Sequence, residues 1–173
     1  MLKKWKNLNY LPKQIILTSL NILYNFNERL MDMDNYNSIA AKETKFEEKK
    51  ILVDDTIKVG KLSQYEIIKK MLEGLVKEIE ELKQVLFTDL AVTNTSKEKA
   101  EKISKIAFTL QSCLDLEGDN KIAEDLNWLY RFIRYMSKRI QDNEDMNYVQ
   151  PAFKVASELK EAWDGIPKEY QNN

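Results

Sequence analysis

The sequence contains no histidine and only one cysteine among its 173 residues. Histidine is the commonest general base and the commonest metal ligand in proteins, so its absence removes the usual centre of an acid–base or metal site. The single cysteine, Cys113, cannot form an internal disulfide, and its place in an apolar helical pattern favours a buried thiol over a nucleophile. The sequence therefore indicates a protein that is not an enzyme and holds no metal or cofactor. A reducing cytoplasm is the expected compartment.

Glycine and proline are also scarce, with four and three residues. Together with 43% apolar and 32% charged residues, this composition is typical of a helical protein and not of a sandwich or a doubly wound sheet. The net charge of −1 gives no bulk electrostatic support for nucleic-acid binding. No apolar run approaches the length needed to cross a bilayer. We expect an all-α protein with neither a nucleic-acid partner nor stable membrane insertion.

A capping box marks the clearest helix start. Ser63 can accept a hydrogen bond from the backbone N–H of Glu66, whose carboxylate can accept one from the N–H of Ser63. From there to about Phe87, apolar residues recur at spacings of three and four. Val76 and Val85 widen this stripe, which favours a helix that is buried on two sides or offers one side to a partner. The stripe consists of Ile67, Ile68, Met71, Leu72, Leu75, Ile79, Leu82 and Leu86.

A second amphipathic segment is predicted to open with a capping box over residues 95–98, in which Thr95 is the cap, and to extend to about Leu114. The connection that follows is short and acidic. Gly118 can take the positive φ that ends a helix, and Asp119 can cap the next one. A connection this short favours antiparallel neighbours.

A third helix over about residues 120–141 and a fourth from near Asn147 to Gly165 complete the pattern. Pro151 falls in the first turn of the fourth helix, where no intrahelical N–H is lost. Four amphipathic helices joined by short loops predict an antiparallel four-helix bundle over residues 63–165, followed by a frayed tail over 166–173.

Residues 1–62 are expected to add a helix and a flexible arm to this bundle. Residues 12–31 form a further amphipathic pattern, with basic residues ahead of it and no secretory cleavage signal after it. We expect this helix to pack on the bundle and not to lie on a membrane. Met33 leaves open that residues 1–32 are an upstream extension from a wrongly assigned start. Residues 33–62 form a polar arm.

The most specific pattern lies between residues 114 and 133. It resembles the turn before the third helix, and the aromatic third helix itself, of the flagellar secretion chaperones of the FliS family. The end of the fourth helix, with its alanine–tryptophan pair, resembles that family too, and the resemblance covers about residues 36–165. The residues that carry it are Leu114-Asp115-Leu116-Glu117-Gly118, Ile122-Ala123, Asp125-Leu126, Leu129-Tyr130, Leu159 and Ala162-Trp163.

The resemblance implies a cytoplasmic chaperone that binds the C-terminal amphipathic segment of flagellin, prevents premature polymerisation and hands the subunit to the flagellar type III export apparatus. Apolar positions beyond the core seam would bind this client, although each could equally lie in the bundle core. When flagellin is absent, the 12–31 helix or the 36–60 arm could occupy the same groove. The candidate residues are Tyr36 of the arm, Ile68, Leu72, Leu75 and Ile79 of the first bundle helix, and Ile103, Ala107 and Leu110 of the second.

Two other classes of protein compete with this interpretation. A metal-binding bundle enzyme would need inward carboxylates paired with histidines, whereas Glu78 and Glu81 are predicted on the polar face of their helix. A generic helical-bundle adaptor, monomeric or homodimeric, would bind a helical partner other than flagellin. The residues themselves leave that alternative open.

Overall fold

The computed structural model describes residues 63–116 and 120–171. All the regular structure in these residues is helical, which confirms the predicted all-α class. The predicted 12–31 helix and the 33–62 arm lie outside the described residues. The helices are α1 Gln64–Asp89, α2 Asn94–Ser112, α3 Lys121–Gln141 and α4 Val149–Asp164, followed by a short 3₁₀ turn at Lys168–Tyr170.

The start of α1 follows from its own sequence. Ser63 Oγ accepts from the backbone N–H of Glu66 at 3.3 Å, and Glu66 Oε2 accepts from the N–H of Ser63 at 2.8 Å. This reciprocal pair satisfies two of the backbone donors that a helix start leaves free. The predicted capping box is therefore confirmed, and the helix it opens extends two residues beyond the predicted end at Phe87.

The start of α2 differs from the prediction. The cap is Thr93 and not Thr95: Ser96 Oγ accepts from the Thr93 N–H at 2.8 Å and donates to the Thr93 carbonyl at 2.8 Å. Ser96 is fully buried, and a buried hydroxyl needs partners. Starting the helix two residues earlier supplies those partners within the cap itself.

The starts of α3 and α4 lie close to their predicted positions. Asn120 caps α3 by accepting from the Ala123 N–H at 3.3 Å, so the predicted cap Asp119 is wrong by one residue. Residues 117–119, which include the predicted helix-ending glycine, are outside the described part of the chain. Pro151 lies in the first turn of α4, as predicted.

Contacts along α1 show that α2 and α4 both run antiparallel to it. Going up α2 from Lys99 to Lys102, the ion-pair partners on α1 go down from Glu81 to Glu78. The same inverse order relates α1 to α4, where Tyr65 meets Trp163 and Lys83 meets Phe153. With α3 packed along α2 and touching α4 near their connection, the four helices close into the predicted bundle.

One hydrophobic core runs through the bundle and draws on all four helices. Removing such side chains from water contributes roughly 1.5–3 kcal/mol each, which opposes the loss of chain entropy. Burial also raises the pKa of the Tyr130 phenol well above its ordinary value, so this side chain stays neutral. Among the most deeply buried residues are Leu75, Ile79, Leu82, Ile103, Leu110, Leu129, Phe132 and Ile133.

Candidate partner-binding surface

The structure places seven of the eight sequence-predicted partner residues in the bundle core. Each touches neighbouring helices within one continuous cluster, with at most 3% of its surface exposed. Their contact with a client therefore stays a prediction, and Tyr36 lies outside the described residues. The seven are Ile68, Leu72, Leu75 and Ile79 of α1, and Ile103, Ala107 and Leu110 of α2.

A different set of apolar side chains faces solvent in the described part of the chain. These residues lie outside the main core stripe of each helix or in the connections between helices. The spacing of apolar residues therefore did not identify them as partner-binding candidates. Large exposed apolar side chains on a helical surface can serve as contacts for a partner. They are Phe87, Leu90, Phe108, Leu116 and Met146.

On the α2–α3 side, Phe108 belongs to a compact group that we call the α2–α3 cluster, made of Phe108, Gln111, Asn127 and Arg134. Gln111 Nε2 donates to Asn127 Oδ1 at 2.7 Å, and Arg134 Nη1 donates to Gln111 Oε1 at 2.9 Å. The Arg134 guanidinium carbon lies 4.9 Å from the centre of the Phe108 ring. Half of Phe108, 49%, stays exposed beside this fixed cation.

Arg134 uses only part of its hydrogen-bonding capacity within the described residues. It forms no ion pair with any carboxylate of the described residues, and its Nε is buried without a hydrogen-bond partner among them. A guanidinium has five N–H donors in a rigid fork suited to carboxylates. The cluster therefore combines an exposed aromatic ring with a positioned cation whose donors are only partly used.

On the α1–α4 side, a strip of side chains along α1 combines apolar residues with a lysine. Val76, Lys83 and Phe87 lie on one face of α1, because they are separated by seven and four residues. Lys83 Nζ lies 4.2 Å from the centre of the Phe153 ring of α4. Phe87, one turn further along, is 69% exposed and adds apolar surface to the strip.

The α1–α2 side carries charge. Glu78 forms ion pairs with Lys99 and Lys102, while Glu81 Oε2 lies 2.6 Å from Lys99 Nζ. The hydrogen bond between Lys99 and Glu81 lowers the pKa of Glu81 and raises the pKa of Lys99. Glu78 is only 8% exposed, so its predicted place on the polar face is wrong. Helix pairing buries it, and two lysines compensate the charge.

At one end of the bundle, an ion pair connects the end of α4 to the beginning of α1. The Asp164 carboxylate forms ion pairs with Lys69 of α1, at 2.7 Å, and with Lys160 of α4, at 2.6 Å. Hydrogen bonds from these two lysines lower the pKa of the Asp164 carboxyl. The contact fixes the end of α4 on the beginning of α1, so the outer surfaces described above are held on a defined scaffold.

The described residues contain no cluster of three or more histidine, cysteine, aspartate or glutamate side chains that could hold a metal ion. Within the same residues, no helix is both long enough and apolar enough to cross a membrane. Cys113 is buried, and burial raises the pKa of its thiol.

Comparison with known proteins connects this bundle to one family. The family model described as flagellar protein FliS matches residues 53–170. The flagellar secretion chaperone FliS of Vibrio cholerae serotype O1 (strain ATCC 39315 / El Tor Inaba N16961) is 27% identical over 124 residues, which are 72% of this chain and 88% of the relative. No solved structure matches the chain significantly. The family match spans both ends of the bundle and the turn before α3, and the chain therefore belongs to the FliS family.

Proposed function

We propose that this protein is a cytoplasmic flagellar secretion chaperone that binds the C-terminal amphipathic segment of flagellin. Binding would prevent premature polymerisation of flagellin and assist its delivery to the flagellar type III export apparatus. Membership of the FliS family carries the proposal. The name of the Vibrio cholerae relative, a flagellar secretion chaperone, supports the same role. The activity is binding alone, with no chemical step and no cofactor.

The exposed apolar side chains give this role a physical basis. An amphipathic helix binds through apolar anchors spaced three, four and seven residues apart, and such anchors fit the outer surface of a helical bundle. A client segment that orders as it binds loses some affinity to that ordering, but it can wrap a large surface. Phe108 on one side of the bundle and Phe87 on another are suited to a wrapped client.

The sequence-predicted residues would form a buried layer beneath the surface that the client contacts. Ile68, Leu72, Leu75 and Ile79 lie beneath the outer surface of α1, and Ile103, Ala107 and Leu110 beneath that of α2. Partly exposed side chains such as Val76 and Ile106 pack on this layer and would meet a client first. Tyr36 of the arm completes the proposed set.

Calorimetric titration tests the proposal directly. The full-length protein is titrated with a synthetic peptide that covers the C-terminal segment of flagellin from the same bacterium. A scrambled peptide of the same composition is the matched control. Saturable binding of the first peptide and not of the second supports the proposal. Absence of binding by the native segment at concentrations up to about 1 mM, the weak limit of specific recognition, would overturn it.

A generic adaptor with another helical partner is the alternative, because apolar surface by itself does not name a client. Capture from a lysate of the bacterium, followed by identification of the bound proteins, separates the two roles. Recovery of flagellin in competition with all other proteins supports the chaperone. Light scattering with and without the peptide then gives the stoichiometry and distinguishes a monomer from a homodimer.

A further inference from the structure

We propose that the α2–α3 cluster is an anion-recognising anchor for the client helix, in which Arg134 receives a client carboxylate and Phe108 receives an apolar side chain about one helical turn away. The inference rests on the proposed function, since it specifies which chemistry the client presents at this position. The occupant is an amphipathic helix whose polar edge carries an aspartate or glutamate.

Arg134 is held in position by Gln111 and Phe108. Gln111 Oε1 accepts from Nη1 at 2.9 Å, and Gln111 is itself held by donating to Asn127 Oδ1 at 2.7 Å. The ring of Phe108 lies 4.9 Å from the guanidinium carbon. A guanidinium held from two directions loses little freedom on meeting a carboxylate, which favours binding.

The charge of Arg134 is not neutralised by a carboxylate of the described residues. Several cations of the helices have carboxylate partners within the bundle, as Lys99, Lys121 and Arg139 do. Arg134 forms no such pair with any described residue, although it is partly buried and one of its nitrogens has no partner there. A partly desolvated cation without a carboxylate is complementary to a partner that brings one.

An exposed aromatic ring lies beside Arg134. Phe108 is 49% exposed and adjoins the cation, so apolar and charged contacts lie side by side. On a helix, residues three or four positions apart share a face. A client helix with an apolar residue and a carboxylate at that spacing matches both groups at once.

The experiment compares Arg134→Gln with Arg131→Gln, which removes the same charge from the same helix outside the cluster. Each full-length variant is titrated with the flagellin C-terminal peptide at two salt concentrations. We expect Arg134→Gln to weaken binding by about tenfold and to reduce its salt dependence, while Arg131→Gln stays within about twofold of the parent. Phe108→Ala should weaken binding without changing the salt dependence.

Substitutions in the flagellin peptide test whether Arg134 contacts one particular carboxylate. Aspartates and glutamates of the peptide are changed one at a time to their amides. One such change should weaken binding to the parent protein as much as Arg134→Gln does, and it should cause no further loss in that variant. Lack of coupling between Arg134 and every peptide carboxylate overturns the proposal, as does an equal loss from Arg131→Gln.

Folding and the client are controlled separately. Circular dichroism and urea unfolding establish that each variant is folded. Where Arg134→Gln does not fold, Arg134→Lys replaces it, and loss of the forked donors should still weaken binding by about threefold. Unchanged binding by a folded Arg134 variant overturns this inference alone. A parent protein that does not bind the peptide overturns the proposed function itself.

Discussion

Tyr65 and Trp163 exchange hydrogen bonds between their side chains and each other's backbone. Tyr65 O–H donates to the Trp163 carbonyl at 3.2 Å, and Trp163 Nε1–H donates to the Tyr65 carbonyl at 3.1 Å. Their rings stack with centres 5.6 Å apart and planes 18° apart. The pair joins the first turn of α1 to the last turn of α4, residues 98 positions apart in sequence. This contact therefore closes the bundle between its first and last helices.

Replacing Trp163 is expected to destabilise the bundle in two measurable steps. Trp163→Phe keeps a ring for stacking but loses the N–H donor, which should lower the free energy of unfolding by about 1–2 kcal/mol. Trp163→Ala also leaves a cavity and should lower it by about 3–5 kcal/mol. Urea unfolding followed by circular dichroism measures both changes. Phe87→Ala, at an exposed site, is the control and should stay within about 0.5 kcal/mol of the parent.

Glu78→Gln is expected to weaken the contact between α1 and α2. The change leaves Lys99 and Lys102 without a buried carboxylate, although both lysines keep partial access to water. We expect the free energy of unfolding to fall by about 1–2 kcal/mol, below the cost of breaking a fully buried pair. Glu80→Gln makes the same chemical change on the exposed face of α1, and an equal loss there would contradict the role given to Glu78.

Acid should destabilise the protein through Glu81 and Asp164. Lys99 lowers the pKa of Glu81, and Lys160 with Lys69 lowers that of Asp164. A carboxyl with a lowered folded pKa contributes stability that is complete above its ordinary value, 4.5 for Glu81 and 3.8 for Asp164, and that disappears as the pH falls through the lowered value. The urea midpoint should therefore decline below about pH 4.5. Glu81→Gln/Asp164→Asn should show a flatter decline, and an unchanged one would contradict this assignment.

Gly74→Ala is expected to stabilise the protein. Gly74 lies in the interior of α1, where glycine is less favourable than alanine by roughly 0.5–1 kcal/mol. Apart from the adjoining backbone of α1 itself, an added Cβ would meet no atom within 4 Å, so no steric penalty offsets the gain. A rise of about 0.5–1 kcal/mol in the free energy of unfolding is expected from urea titration. A loss would show that the space beside Gly74 is occupied in solution.

Deleting residues 1–32 is expected to strengthen binding of the flagellin peptide. Occupancy of the client groove by residues 12–31 would lower the apparent affinity by the fraction of competent molecules, and removal of the segment restores that fraction. We expect a gain of about threefold or more by calorimetry. A synthetic 1–32 peptide added to the shortened protein should reduce binding again. Unchanged or weaker binding after the deletion would argue against self-occupancy.

Local chemistry made much of the fold predictable. Ser63 and Glu66 define the start of α1 through two short-range hydrogen bonds, and Pro151 marks the first turn of α4. The start of α2 was mispredicted because Thr93 and Thr95 both fit a capping pattern three residues before a polar side chain. In the structure Ser96 is fully buried and its hydroxyl is paired with Thr93, and the burial of a single side chain cannot be read from a local capping pattern.

The candidate site was far less predictable. A stripe of apolar residues identifies the buried side of a helix, so it selected Leu72 and Ile103 from the core and passed over Phe108. The contact of Phe108 with Arg134 joins residues 26 positions apart on different helices, and no helical spacing encodes it. Glu78 shows the converse: a charged residue in sequence becomes buried because α2 supplies its counter-charges.

The ion pairs between α1 and α2 also determine how the two helices may slide. Moving α1 by one turn, about 5.4 Å, would leave at most one glutamate opposite a lysine, because both pairs form only in the observed alignment, whereas aliphatic side chains could find new aliphatic neighbours. The charges therefore favour the observed alignment, and the apolar residues supply most of the buried volume. We therefore expect exchanges among leucine, isoleucine and valine that keep the total core volume to leave α1 and α2 in the same alignment.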